Sequence, residues 1–311
     1  MKETELRIGQ LAGALTEPNG DGATRPPLVL MIHGSGPLDR NENGAGQKLD
    51  VFNAIAAALA ERGIASFRYD KRGCGASGGD YITADQTDLL NDAASCLDGL
   101  QAQFPDHFGA RFLLGHSEGT MIAARLCQQR EVDGLVLICP YLTDMETILM
   151  KQASEVEATI AGASGLSGAV QRSAMRVLGR PAKWQSRLIR KLKATETPTI
   201  RFMGRRMPAR WLRECLRLDH RAIYAGVDTA TLVVGGEKDL QCDPADVPQI
   251  EAILGAKADA HVIANMTHLL RAEPGEATFA SYPKQMKQKL MPELFDLVKD
   301  WIASQHTRPA S

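Results

Sequence analysis

The sequence predicts an α/β protein whose mostly parallel central sheet is covered by helices on both faces. Short apolar runs alternate with amphipathic stretches from residue 28 onward. This alternation is typical of an open parallel sheet, because each crossover between parallel strands runs through a helix. The strand candidates span 28–33, 64–69, 111–115, 134–139, 231–235 and 260–263. Each is four to six residues long and mostly apolar, as expected for strands buried on both faces.

Amphipathic stretches between and after these runs predict the helices. They span 49–62, 85–103, 118–130, 245–254 and 285–304. In the first stretch Val51, Ile55 and Leu59 recur at a spacing of four, which places them on one helix face. Ahead of the first core strand, residues 5–16 favour a leading β-hairpin, followed by a turn-rich loop.

Residues 143–222 differ from the rest of the chain in pattern and in charge. The chain has a net charge of −1, yet residues 151–217 hold 15 Lys/Arg and only 4 Asp/Glu. The segment has no clear strand run, and glycines and prolines interrupt its helical patterns. We therefore predict a core domain of residues 1–142 and 223–311, with 143–222 inserted as a helical cap over the sheet edge. The basic charge raises the hypothesis of an anionic substrate, although the simpler interpretation is that these side chains face water or the acidic core.

The composition of the 311-residue chain excludes several classes of protein. Its apolar content of 44% and charged content of 23% are ordinary for a soluble globular protein. The first residues lack the apolar core of a signal peptide, and no apolar run reaches membrane-spanning length. The six cysteines show no C-x-x-C pair and no zinc spacing. We therefore expect a cytoplasmic protein with reduced thiols, no metal, no cofactor, and no membrane or nucleic-acid partner.

A glycine-framed serine is the most informative motif. The G-x-S-x-G pattern at residues 115–119 follows an apolar run directly and opens a helical stretch. A serine in such a sharp strand-to-helix turn exposes its hydroxyl above the sheet, an arrangement called a nucleophile elbow. The same pattern recurs at residues 75–79, but no strand leads into Ser77 and no helix follows it directly. We therefore predict Ser117 as the nucleophile and Ser77 as a loop residue.

A serine hydroxyl becomes a good nucleophile only when a base removes its proton, and the base needs an orienting carboxylate. His268 follows the strand candidate 260–263 at a suitable distance, so we predict it as the base. Asp239 follows the preceding strand candidate and is the predicted acid. The chain order Ser117, Asp239, His268 is the order of the α/β-hydrolase arrangement.

Other residues compete for these roles. Glu237, Asp243 and Asp246 lie close to Asp239 in the sequence and are alternative acids. Among the histidines, His33 and His116 stand in glycine turns at strand ends, where we expect them to brace loops. The histidines without motif context are expected at the surface or in the core; they are His107, His220, His261 and His306.

Acyl transfer also needs backbone N–H groups already aimed at the oxyanion. The N–H of Glu118, one residue after the nucleophile, is one predicted donor. The second should come from the loop after the first core strand, residues 33–37, and we assign it to Ser35, with Gly36 as the alternative. A simple strand-ending turn is the competing interpretation of this loop.

Four sequence blocks together resemble the bacterial serine carboxylesterases of the α/β-hydrolase superfamily that are called EstD-like and are related to prolyl-oligopeptidase-type hydrolases. The blocks are residues 33–41, 70–77, 115–119 and 236–241. The similarity extends over about 5–142 and 223–300.

This resemblance implies that Ser117, Asp239 and His268 form a catalytic triad, and that the block containing Asp70 and Arg72 is a structural loop beside the site. Thr120 departs from the family, which often carries a small glycine there. The segment 143–222 matches nothing in the family, so the resemblance carries no substrate with it.

Three functional hypotheses follow. The leading one is hydrolysis of carboxylic esters with a short to medium acyl chain through an acyl-enzyme, without a cofactor. The same triad can serve a peptidase, a thioesterase or an acyltransferase, because these activities share the catalytic parts. A non-catalytic binding protein, meeting nucleic acid or a membrane through residues 201–206, is the hypothesis from another class. The complete triad and both glycine loops argue against it, since a binding protein has no use for them.

Overall fold

The computed structural model describes residues 1–20, 25–44 and 46–306. Eight of its strands form one sheet, and two more form a separate hairpin. The strands are β1 Lys2–Ile8, β2 Leu11–Glu17, β3 Leu28–Ile32, β4 Ala65–Tyr69, β5 Arg111–His116, β6 Gly134–Ile138, β7 Thr199–Phe202, β8 Arg205–Pro208, β9 Thr231–Gly236 and β10 Ala258–Ile263.

Eleven α-helices occur in the described residues, and three single 3₁₀ turns accompany them. The helices are α1 Val51–Glu61, α2 Gln86–Gln103, α3 Glu118–Leu126, α4 Met145–Gly162, α5 Gly165–Leu178, α6 Pro181–Lys193, α7 Ala209–Cys215, α8 His220–Ala225, α9 Asp246–Leu254, α10 Tyr282–Gln285 and α11 Pro292–His306. None of these described helices combines the length and the apolar character that crossing a bilayer requires.

The main sheet has the strand order β1-β2-β4-β3-β5-β6-β9-β10. The six strands from β4 to β10 in this order are parallel. The leading hairpin β1–β2 is antiparallel and joins the sheet by antiparallel pairing of β2 with β4. The predicted α/β class, with its mostly parallel sheet and its leading hairpin, is confirmed.

Two apolar layers cover the two faces of the sheet. In β3 the side chains of Leu28, Leu30 and Ile32 pack into the layer that contains α2, α3 and α9. Val29 and Met31 point to the opposite face and pack with α1 and α11. Each fully buried aliphatic side chain of this kind stabilises the fold by about 1.5–3 kcal/mol. Burial on both faces explains why the core strands are continuous apolar runs rather than alternating ones.

The segment between β6 and β9 forms its own layer, built from α4 to α8 and the hairpin β7–β8. Leu188, Leu192, Ile200 and Leu212 form a small apolar cluster inside it. The expectation that this segment lacks strands is wrong. Each strand of the hairpin has only four residues, and arginines interrupt its apolar pattern, so no strand signal stands out.

The predicted helix 285–304 is also wrong as a single element. The structure places α10 and α11 there, with a break between Gln285 and Pro292. Proline lacks the N–H that a helix interior needs and fits the first turn instead, so Pro292 begins a new helix.

The predicted end of the inserted segment, between residues 222 and 223, falls inside helix α8.

A buried aspartate fastens the start of the inserted segment to the core. Asp246, in the first turn of α9, accepts hydrogen bonds from the N–H groups of Leu142 and Thr143 at 2.8 and 2.9 Å. It also accepts one from the Thr143 hydroxyl at 3.0 Å. These bonds orient the chain as it leaves the sheet, because a buried N–H without a partner costs free energy.

We predict that Asp246→Ala lowers the free energy of unfolding by about 1–3 kcal/mol, because it leaves two backbone donors without an acceptor. Urea unfolding followed by circular dichroism measures the change. Glu251→Ala, an exposed position on the same helix, is the matched control and should change stability by less than about 0.5 kcal/mol. Equal stability of the two variants would contradict the anchoring role.

Candidate active site

Ser117 occupies a strained turn between β5 and α3. Its φ is 52° and its ψ is −119°, a conformation that side chains rarely adopt. The turn is tight on both sides. A Cβ on Gly115 would lie 2.3 Å from the Gly119 carbonyl oxygen, and one on Gly119 would lie 2.0 Å from that of Ile32. Both glycines are therefore required by backbone contacts, as the motif predicts.

The environment of the turn holds this conformation. The Ser117 N–H donates to the Ile138 carbonyl oxygen on the neighbouring strand at 2.9 Å. Thr120, the position where the sequence departs from the EstD-like family, is buried, and its hydroxyl donates to the Ser117 carbonyl oxygen at 2.6 Å. The larger side chain therefore fits the turn and caps it.

His268 and Asp239 form a buried pair at the ends of β10 and β9. Their Nδ1 and Oδ2 atoms are 2.8 Å apart. The other carboxylate oxygen accepts the N–H groups of Gln241 and Cys242 at 2.7 and 2.9 Å. Burial alone would raise the pKa of Asp239, but His268 and these donors outweigh burial and lower the pKa. The carboxylate therefore stays ionised beside the imidazole.

The three alternative acids lie elsewhere. Glu237 accepts the Asn265 N–H at 2.8 Å, and Asp243 pairs with Lys151 at 2.7 Å. Asp246 anchors the inserted segment, as described above. Of the four acidic residues considered, only Asp239 contacts the His268 ring.

Two cavities meet at Ser117. The first, here called the wide cavity, has a volume of about 280 Å³; its lining includes Ser35, Ser117, His268, Phe279, Tyr282 and Met286. The second, here called the narrow cavity, has a volume of about 100 Å³; its lining includes Ser35, Ser117, Glu118, Ile148, Leu149 and Trp211. The predicted nucleophile, base and oxyanion residues thus surround one junction.

Among the residues that the structure describes, the Ser117 hydroxyl makes no hydrogen bond to the His268 ring. It lies instead close enough to Cys242 to lower the pKa of that thiol, although burial has the larger effect and raises it. The Cys242 sulfur lies within 4.8 Å of a ring nitrogen of His268. Hydrogen bonds between a nucleophile and its base are often long or poorly aligned in active sites without substrate.

The predicted oxyanion donors have free N–H groups. Within the described parts of the chain, neither the Ser35 N–H nor the Glu118 N–H donates to a protein acceptor. Ser35 lines both cavities at Ser117, whereas neither lining includes the alternative donor, Gly36. The geometry therefore favours Ser35 over Gly36.

A buried ion pair that the sequence did not reveal braces the loops around the site. Glu42, only 1% exposed, contacts His116 Nδ1 at 2.8 Å and accepts the Gly34 N–H at 2.7 Å. The other ring nitrogen of His116 lies 3.3 Å from the His268 carbonyl oxygen. Glu42 and His116 therefore connect the predicted oxyanion loop, the elbow and the loop of the predicted base. Glu42 has a left-handed backbone conformation, and no sequence pattern predicts it.

The block that contains Asp70 and Arg72 forms ion pairs beside the site. Asp70 pairs with Arg40 at 2.9 Å, and Arg72 pairs with Asp92 at 2.6 Å. Ser77 is indeed a loop residue here: its hydroxyl donates to the Asp70 carbonyl oxygen at 2.7 Å and accepts the Ala12 N–H at 2.9 Å. Both of these hydroxyl partners of the second G-x-S-x-G serine are backbone groups, as expected for a structural role.

The other described histidines have contacts that do not involve Ser117. His33 is buried between the rings of Phe52 and Tyr69, and burial lowers its pKa to about 3. The other described ones contact a nearby carboxylate or backbone carbonyl: His107 lies against Glu17, His261 against Asp259, and His220 against Leu142 and Thr143. The side chain of His306 lies outside the described part of the chain.

Two groups of side chains near His268 have the proximity of metal ligands. They are His116, Cys139 and His268, and Asp239, Cys242 and His268. Burial raises the pKa of both thiols well above its usual value, so they stay protonated, whereas a metal needs the thiolate. The shared histidine already uses Nδ1 for Asp239. Proximity alone therefore assigns no metal to these groups.

Comparison with known proteins places this arrangement in a family. The Hydrolase_4 family, described as serine aminopeptidase S33, matches residues 42–275. Esterase EstD from Thermotoga maritima is 24% identical over 304 residues, which cover 97% of this chain and 67% of EstD. Est1E from Butyrivibrio proteoclasticus, solved with ferulic acid bound, has a TM-score of 0.60 at 14% identity, covering 98% of this chain and 100% of that one. Esterase Pf2001 from Pyrococcus furiosus has a TM-score of 0.57 at 14% identity, covering 97% and 89%.

The parallel sheet, its strand order and the strand-turn-helix at Ser117 define the class of protein, an α/β-hydrolase fold. Because the family match spans most of the chain, the protein belongs to the serine aminopeptidase S33 family of hydrolases. Together with the similarity to EstD, this membership confirms the resemblance that the four sequence blocks carry.

The Glu42–His116 pair predicts a specific pH dependence of stability. Burial lowers the pKa of His116, but Glu42 outweighs burial, so the pKa is raised above its usual 6.5. Burial raises the pKa of Glu42, but His116 and other partners outweigh it, so the pKa is lowered below 4.5. The histidine share of the stability is therefore complete below pH 6.5 and is lost as pH rises through the raised value. The glutamate share is present above pH 4.5 and is lost as pH falls.

We predict that Glu42→Gln lowers the free energy of unfolding by about 1–3 kcal/mol between roughly pH 4.5 and 6.5, and by less at pH 9. Denaturant unfolding across this pH range measures the difference. Glu17→Gln, which removes the partner of the half-exposed His107, is the matched control and should show a small, flat difference. A Glu42→Gln deficit that grows with rising pH would contradict the ion pair.

Proposed function

We propose that the protein is a carboxylic ester hydrolase that works through an acyl-enzyme on Ser117. The observation that carries the proposal is the buried Asp239–His268 pair, 2.8 Å apart, whose histidine lines the same cavity as a serine in an elbow turn. Such an arrangement supplies a nucleophile, a base and an orienting carboxylate at one point. Esterases among its relatives and fold neighbours support the same assignment.

In the proposed mechanism, His268 Nε2 removes the proton as Ser117 Oγ forms a bond to the ester carbonyl carbon. Asp239 holds the ring through Nδ1 and stabilises the imidazolium. The Ser35 and Glu118 N–H groups donate to the oxyanion. The carbon–oxygen bond to the alcohol then breaks, and the alcohol leaves with the proton from His268. Water, activated by the same histidine, hydrolyses the acyl-enzyme to the carboxylic acid.

The family description raises a peptidase as the second candidate. An aminopeptidase must bind the free α-ammonium group of its substrate, for which a free carboxylate is the natural partner. The carboxylates among the cavity linings are those of Glu42 and Glu118. Glu42 is committed to His116 and Gly34, and Glu118 to Lys71, Gln86 and Trp211. This commitment favours an ester over a peptide amine.

The basic inserted segment does not bring positive charge to the junction. Neither lining of the wide or the narrow cavity includes a lysine or an arginine among the described residues. Several basic side chains of the segment are instead paired with carboxylates, for example Lys193 with Glu146 at 2.5 Å and Arg180 with Glu157 at 2.6 Å. This arrangement favours a neutral ester over an anionic one.

All six cysteines are free thiols. A cytoplasmic location stays a prediction.

We predict that Ser117→Ala lowers kcat for p-nitrophenyl butyrate by at least about 10⁴-fold, because the elbow turn then presents no hydroxyl to the substrate. It should also abolish labelling by a fluorophosphonate probe. Hydrolysis followed by p-nitrophenolate absorbance, together with the labelling assay, measures both effects.

The second G-x-S-x-G serine supplies the control. Ser77→Ala loses two structural hydrogen bonds, so its melting temperature should fall slightly, while kcat and labelling stay near the wild-type values. Activity that survives in Ser117→Ala, or labelling that disappears in Ser77→Ala alone, would refute the assignment of the nucleophile.

A further inference from the structure

The two cavities at Ser117 differ in which catalytic groups they contain. Both linings include Ser117 and Ser35. Of the other three predicted catalytic groups, His268 lines the wide cavity, Glu118 lines the narrow one, and Asp239 lines neither. We can therefore infer which half of the ester lies in which cavity.

Ester cleavage fixes which half of the substrate lies beside the histidine. The imidazolium must deliver its proton to the leaving alcohol oxygen, so the alcohol group lies on the His268 side. The carbonyl oxygen points towards the N–H groups of Ser35 and Glu118. The acyl chain then extends away from His268, into the narrow cavity.

We infer that the enzyme acts on neutral esters that join a small apolar acyl group to a bulkier, aromatic alcohol; this inference rests on the proposed function. The wide cavity, about 280 Å³, is close to the lower limit for drug-sized ligands, whereas the narrow one, about 100 Å³, is far below it. Ile148, Leu149 and Leu212 make the narrow cavity apolar.

The wide cavity suits an aromatic ring. Phe279 and Tyr282 stand edge to face with their ring centroids 5.2 Å apart, and Met286 lies beside them. Aromatic and thioether side chains bind a further ring through offset or edge contacts. A substrate with its ring in the alcohol therefore meets the larger cavity and the matching surface.

Two isomeric esters test this direction. Benzyl acetate carries its ring in the alcohol, and methyl phenylacetate carries the ring in the acyl group, with the same atoms and no charge. We expect kcat/KM for benzyl acetate to exceed that for methyl phenylacetate by at least about 10-fold. Equal values, or a preference for methyl phenylacetate, would overturn the inference.

A variant of the narrow cavity sharpens the test. Leu149→Ala enlarges the cavity assigned to the acyl group, so it should raise kcat/KM for methyl phenylacetate and lower the isomer ratio by about 10-fold. Met286→Ala enlarges the other cavity and should not raise the value for methyl phenylacetate. If Met286→Ala rescues methyl phenylacetate and Leu149→Ala does not, the two cavities have the opposite roles.

The proposed function and this inference fail in different ways. If neither isomer is hydrolysed and Ser117 does not react with the fluorophosphonate probe, the esterase assignment fails and the inference with it. If both isomers are hydrolysed in a Ser117-dependent way but the ring is preferred in the acyl group, only the inference fails.

A different observation concerns a buried lysine behind the predicted oxyanion donors. Lys71, 2% exposed, donates from Nζ to the Gly34 carbonyl oxygen at 2.5 Å and to Glu118 Oε2 at 3.1 Å. The Gly34 carbonyl and the Ser35 N–H are the two ends of one peptide group. The lysine therefore contacts the far end of the group whose N–H faces the junction.

We propose that Lys71 is a positioning residue that orients and polarises this peptide group. A cation on the carbonyl oxygen draws electron density along the peptide and strengthens the opposite N–H as a donor, since hydrogen bonds in a chain polarise one another. The Glu118 carboxylate holds the lysine in place and belongs to the residue that supplies the second N–H. One buried ion pair thus contacts the peptide group of the first donor and the side chain of the residue that supplies the second.

Lys71→Met keeps the length of the side chain and removes its charge. We expect kcat to fall about 10-fold with KM nearly unchanged, a smaller loss than removal of a whole oxyanion donor. The affinity for a trifluoromethyl ketone, which forms a tetrahedral oxyanion on Ser117, should fall by the same factor. A change in KM alone, or an unchanged affinity for the ketone, would overturn the role.

The double variant Lys71→Met, Glu118→Gln separates the charge from packing, because no unpaired buried charge remains. Its kcat should stay about 10-fold below that of Glu118→Gln alone. Gln86→Met removes a different partner of Glu118 and should leave the ketone affinity near the wild-type value. A double variant as active as Glu118→Gln, or a Gln86→Met as impaired as Lys71→Met, would show that Lys71 only supports the fold.

Discussion

The backbone conformation at Ser117 is the constraint on which the rest of the site depends. A residue other than glycine in this region costs roughly 1–3 kcal/mol, so the surroundings must hold it there. The hydrogen bond from Ser117 to Ile138 requires β5 and β6 in register, and the approach of Gly119 to Ile32 requires β3 beside them. The sheet therefore positions the hydroxyl, and the strained turn exists only because three strands are packed around it.

Buried charge then connects the loops that leave these strands. Glu42 with His116 and Lys71 with Glu118 both reach Gly34, one at its N–H and the other at its carbonyl oxygen. Both pairs are nearly inaccessible to solvent, where electrostatic interactions are weakly screened. The short loop after β3 is thus held from both sides of one residue, which is how a glycine-rich turn becomes rigid enough to present an N–H.

The sequence predicted the parts of the molecule that depend on local pattern. Strands buried on both faces are continuous apolar runs, and the elbow glycines follow from contacts within one turn. The prediction of a single helix over 285–304 was wrong because Pro292 begins a new helix. The hairpin at 199–208 was missed because its strands are short and rich in arginine. Glu42 and Lys71 gave no signal, because their partners lie 74 and 47 positions away in the chain. The triad and the oxyanion donors remain assignments from motif and geometry.

The contact between the Trp211 indole N–H and Glu118 has a consequence for how the layer over the site can vary. It ties α7 to the residue after the elbow, whereas α5 packs on α4 and exposes Leu166 and Val177 to solvent. Within this layer, α7 is therefore fixed to the site, whereas α4 and α5 form the outer part that can vary. Grafting that aims at a new specificity can exchange α4 and α5. It must keep α7, because α7 holds the contact to Glu118.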